Sequence, residues 1–70
     1  MKKSLHLFDI VALLTDLPDE KISTGQVGTI VEELTEAVYE VEFADAQGRT
    51  ITTCAVAATN LLKLTHEMAV

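Results

Sequence analysis

Few side chains in this sequence have the type and spacing for chemistry. Cys54 with His6 and His66 is the one set that could supply a nucleophile or ligate a metal. A catalytic cysteine needs a base within hydrogen-bond reach, and that base needs a third group to hold it. Neither histidine stands at a recognised spacing from Cys54, both fall in terminal segments, and three scattered ligands make a poor zinc site. Cys54 reads instead as a small buried hydrophobe. Glu40 and Glu42 project from one side of a strand, with Glu32, Glu33 and Glu36 close by in sequence. Two carboxylates in a cleft can divide acid and base work when one pKa is raised. On a solvent-facing strand the same pair keeps a sheet soluble and discourages edge pairing, which is the reading favoured here. Asp45-Ala46-Gln47-Gly48 lacks the alternating oxygen ligands and distal Glu of a calcium loop. Gly25-Gln26-Val27-Gly28 is followed by no Lys-Ser or Lys-Thr and is no phosphate loop. The sequence thus predicts no catalytic residues, no cofactor and no metal.

The elements that carry these residues are short. Residues 8–14 form an apolar, partly β-branched run that Pro18 and the polar loop 19–25 close off quickly, which favours a strand over a helical turn. Leu17-Pro18-Asp19-Glu20 suits a turn, with Pro presetting φ. Residues 25–34 are rich in β-branched types and open at Gly25, where a positive φ is expected. Gly28 inside that run indicates a bulge or a close backbone approach, and a bend that helps a small sheet curl is the favoured reading. Residues 38–43 alternate, with Tyr39, Val41 and Phe43 on one face and Glu40 and Glu42 on the other, the pattern of a half-buried antiparallel strand. Asp45-Ala46-Gln47-Gly48 then turns the chain into a fourth strand, residues 49–56, to make a hairpin. Thr59-Asn60 interrupts an Ala- and Leu-rich stretch, so a short helical turn and a brief last strand, 61–64, are expected. Residues 65–70 are expected to fray or dock on a neighbour.

Composition bounds the partners. Seventy residues make one domain, read as a core over about 8–64 with terminal extensions, near the lower limit for an unaided hydrophobic core. Extra stability from a homo-oligomer would suit so small a chain. Five Lys and Arg against eleven Asp and Glu give a formal charge of −6, with the basic residues scattered. Nucleic acid and anionic membrane are therefore disfavoured as partners, and a basic protein is favoured. One cysteine excludes an internal disulfide, no run approaches the roughly 20 apolar residues of a membrane span, and the Met-Lys-Lys start is not followed by a signal-peptide pattern. A cytoplasmic setting is expected. Peptide grooves and methyl-lysine cages need clustered exposed aromatics, and Phe8, Tyr39 and Phe43 are too few to build them.

Five short strands, a polar loop after the first and a helical turn before the last make the plan of an all-β, SH3-like barrel. Asp9-Ile10-Val11-Ala12-Leu13, Leu17-Pro18, Gly25-Gln26-Val27-Gly28-Thr29-Ile30-Val31, Tyr39-Glu40-Val41-Glu42-Phe43 and Asp45-Ala46-Gln47-Gly48-Arg49-Thr50 resemble the bacterial domain-of-unknown-function family 4926. The resemblance runs over residues 9–64 and implies a small stand-alone domain, with no catalytic residues to carry over. A looser similarity joins the Gly-x-Val-Gly-Thr-Ile-Val strand to KOW-type barrels, whose basic loops this sequence lacks. The expected function is a non-catalytic protein-binding module, an antitoxin-, immunity-like or regulatory partner of another bacterial protein. The alternative is an accessory or assembly subunit of a larger enzyme. Glu40, Glu42, Asp19 and Glu20 are the candidate partner-binding residues.

Overall fold

The computed structural model describes residues 5–64. The predicted tail, 65–70, and with it His66, lies outside the described residues. Five antiparallel strands, β1 (Ile10–Leu13), β2 (Val27–Thr35), β3 (Val38–Ala44), β4 (Thr50–Ala57) and β5 (Leu61–Lys63), form one sheet in the order β4-β3-β2-β1-β5. One 3₁₀ turn, Pro18–Glu20, follows β1, and a second, Ala58–Asn60, immediately precedes β5. The expected all-β plan of five short strands with a helical turn before the last is therefore present, as an open sheet and not a closed barrel: β4 and β5 are its two edges.

Alternation sorts the side chains. Tyr39, Val41 and Phe43 on β3 are buried, and they meet Val11 and Leu13 of β1, Ile30 of β2, Val56 of β4 and Leu61 of β5 in one core. By area bookkeeping each such side chain contributes about 1.5–3 kcal/mol. Two core members come from outside the expected strands. Ile22 sits in the polar loop and is 1% exposed, anchored by a two-way backbone pairing with Leu17. Leu5, ahead of the span read as core, is also buried, and its carbonyl oxygen accepts from the Tyr39 hydroxyl at 3.5 Å.

Two local readings are corrected by the structure. The first strand begins at Ile10, because Phe8 has φ 71 and breaks the extended run. Gly28 is a close approach and not a bend. A Cβ there would stand 2.7 Å from Val41 Cγ1, 2.9 Å from the Glu42 carbonyl oxygen and 2.9 Å from Phe43 Cδ1. The bends in β2 lie further on, where the register with β3 shifts between Ile30 and Glu32 and again between Glu33 and Thr35. Gly25 does take the expected positive φ, at 92.

Candidate functional site

Cross-strand partners in an antiparallel pair share a face, so the register maps the outer surface of the sheet. Glu42 lies opposite Thr29 and Glu40 opposite Glu32, which places Glu32, Glu40 and Glu42 together on the face turned away from the core. Thr53 and Ala55 of β4 continue that face beside Glu42 and Glu40. The Glu42 carboxylate accepts a hydrogen bond from the Thr50 hydroxyl. At the other end of the same face, Ala12 is flanked by Val27 and by Leu62, both of them well exposed at 45% and 52%. The outer surface is thus half acidic and half apolar.

Asp19 and Glu20 are not part of it. Both belong to the first 3₁₀ turn, which Pro18 opens by supplying a fixed φ at its first position. The Glu20 carboxylate accepts from the Thr52 hydroxyl at 3.3 Å, and Thr52 lies opposite Phe43 on the core side of β4. Glu20 therefore lies on the other side of the sheet from Glu40 and Glu42, and Asp19 stands beside it in the turn. Glu32, which joins Glu40 and Glu42, was indicated in the sequence only by its nearness. The β2 bulges that set its register leave no residue signature.

Cys54 packs against the core from β4, opposite Val41. Burial, and then the nearby carboxylates of Glu20 and Glu40, push its thiol up from the ordinary range. That keeps the sulfur protonated at neutral pH, the reverse of an activated nucleophile. His6 is engaged elsewhere: its backbone N–H donates to the Asp9 carboxylate at 2.8 Å and its ring stands 3.8 Å from it. Among the described residues no group of three or more His, Cys, Asp or Glu could hold a metal ion.

A hollow of about 550 Å³ opens between the N-terminal segment and the far end of the β2–β3 hairpin. Leu5, Tyr39 and Ala58 are its buried members, and His6, Glu33, Glu36, Ala37 and Thr59 its exposed ones. It contains neither Cys54 nor the Glu40 and Glu42 pair. No described helix is long and apolar enough to cross a membrane.

The fold and surface define a small all-β domain whose sheet presents a mixed acidic and apolar outer face. The family model for the domain of unknown function DUF4926 matches residues 7–63, and the chain belongs to that family. No curated protein and no solved structure matches it.

Proposed function

We propose that this domain is a protein-binding module that docks a basic partner protein on the outer face of its sheet. The observation that carries the reading is the juxtaposition, on one open surface, of Glu32, Glu40 and Glu42 with the exposed apolar side chains of Val27 and Leu62, which flank the half-buried Ala12. Apolar area supplies affinity, and a neighbouring field of one sign selects and steers an oppositely charged protein. The overall charge of −6 acts in the same direction. An antitoxin, an immunity-like protein or another regulatory partner would use such a face, and the role calls for no catalytic group.

The test is capture of partners from a host lysate by the tagged protein and by the double variant Glu40→Lys, Glu42→Lys. The expected result is one stoichiometric basic partner with the parent chain and none with the variant, whose melting temperature stays close to the parent's. A partner held equally well by both proteins would sink the face assignment.

A further inference from the structure

The two edges of the sheet differ. β5 is three residues long and carries Lys63, features that blunt an edge against pairing. β4 is eight residues long, Thr-Ile-Thr-Thr-Cys-Ala-Val-Ala, without a charge, a proline or a glycine. Thr53 and Ala55 on it are exposed. We propose that β4 is a self-association edge, pairing antiparallel with β4 of a second copy about a two-fold axis at Cys54.

The phase of the ladder fixes which residues are available. The Ala58 N–H donates to the Ala37 carbonyl just beyond the Val38–Ala57 pair. In an antiparallel ladder, hydrogen-bonding and non-hydrogen-bonding pairs alternate. Tyr39–Val56 and Val41–Cys54 are then hydrogen-bonding pairs, so Cys54 and Val56 turn their backbone groups toward β3. Thr53, Ala55 and Ala57 turn theirs away from the sheet.

A second copy must oppose outward groups with outward groups, which restricts a symmetric pairing near mid-strand to axes at Thr53, Cys54 or Ala55. An axis at Ala55 runs the ladder into the 3₁₀ turn at Ala58. An axis at Thr53 puts Ile51, the residue at the β4 register shift, inside the ladder. The axis at Cys54 keeps all of the overlap within β4 and leaves Ile51 at its end. Thr53 then meets Ala55 of the second copy, and Thr52 meets Val56, all of them small side chains without charge.

This register also keeps like charges apart. The two β3 strands lie three strand spacings from one another, roughly 14 Å. That exceeds the screening length of about 8 Å at physiological salt, so the Glu40 and Glu42 stripes do not oppose each other. The two Glu20 carboxylates, each at Thr52, sit four residues apart along the paired strands, roughly 13 Å. Any other partner strand would need to be equally free of acids, and β4 itself meets that condition.

Cys54 provides the test. At the axis it faces its own copy in a non-hydrogen-bonded pair, with a Cα separation of about 4.5 Å, within the roughly 4.4–6.8 Å that a disulfide spans. The full chain would be followed by sedimentation over a concentration series and treated with diamide under native conditions. Each cross-link removes two hydrogens from two thiols and reduces one diamide to its hydrazine. The expected result is a reversible dimer that diamide traps through Cys54. Thr53→Pro removes an N–H that β3 does not use and weakens the dimer about tenfold or more. Should Thr53→Pro fail to fold, Ala55→Lys, which places a charge on the edge, is expected to weaken it similarly. A chain that stays monomeric throughout, a dimer that survives the edge variant, or a dimer without the Cys54 cross-link overturns the proposal. Partner capture is read separately, with the Glu40→Lys, Glu42→Lys variant whose β4 edge is unchanged, so the two readings fail separately.

Discussion

Gly28 shows how much one missing side chain does here. It lies between Val11 on β1 and Phe43 on β3, and the space its Cβ would fill is held by Val41, Phe43 and a backbone oxygen. Gly28→Ala is expected to destabilise the fold by about 1–3 kcal/mol, the usual cost of overpacking, because the atoms that must shift include the Glu42 backbone carbonyl and two core side chains. Chemical denaturation of the variant beside the parent checks this, and an unchanged midpoint would show that the strands move apart freely. The sequence narrowed Gly28 to two roles, since an isolated glycine in a β-branched run indicates either. Deciding between them takes the identity of the facing residues, which no local pattern carries. Phe8 is a clearer case of what is hidden. It reads as the start of a strand by type, but its left-handed backbone leaves the ring 71% exposed. Ile22 is the converse, a core residue placed in a polar loop by tertiary packing alone.

At the scale of elements, the hairpin and its turn were legible because their signals are local. Alternation assigns the faces of β3, and Asp45 closes the turn by accepting from the backbone N–H groups of Gln47 and Arg49, both at 2.9 Å, with Gly48 at φ 83. The loop after β1 is tied differently. Asp16 accepts from both the backbone N–H and the hydroxyl of Thr24, each at 2.8 Å. These bonds hold the Asp16 carboxyl below the ordinary carboxylate range, and the Arg49 N–H, followed by that of Gln47 and the guanidinium, does the same for Asp45. A carboxyl with a depressed folded pKa stabilises the fold fully above the unfolded value of about 3.9 and loses that contribution as pH falls through the folded value. Thermal melts taken downward from pH 5 are therefore expected to lose stability in that window. Asp16→Ala is expected to show a smaller loss. An identical acid profile in the variant would mean that the Thr24 bonds contribute nothing. The β2 bulges and the division of Glu20 from Glu40 were not legible, because both depend on register across strands.

For the whole molecule, the sequence carries a net charge of −6, and the register sets Glu32 directly against Glu40. Like charges opposite each other in a sheet are destabilising by about 0.2–1 kcal/mol. Glu32→Gln is expected to raise stability by about that much in dilute low-salt solution. Added sodium chloride, which shortens the screening length from about 10 Å at 0.1 M to 3 Å at 1 M, should erase most of the difference. Equal stability of variant and parent at low salt would mean that the two carboxylates avoid each other by rotation. A repulsion kept at the surface in this way is consistent with a face maintained for binding.

The open sheet also has a mechanical character. The Leu64 N–H donates to the Ile10 carbonyl at 2.9 Å, so the chain enters β1 beside the point where it leaves β5. These strands are antiparallel and joined over Val11–Lys63, Ala12–Leu62 and Leu13–Leu61. Tension applied at Ile10 and Leu64 loads those bonds in succession, as a zipper is drawn, and not all at once as in shear. Under pull the domain gives way first at β5, exposing Leu61 and then the rest of the core, while the β2–β3–β4 ribbon stays intact.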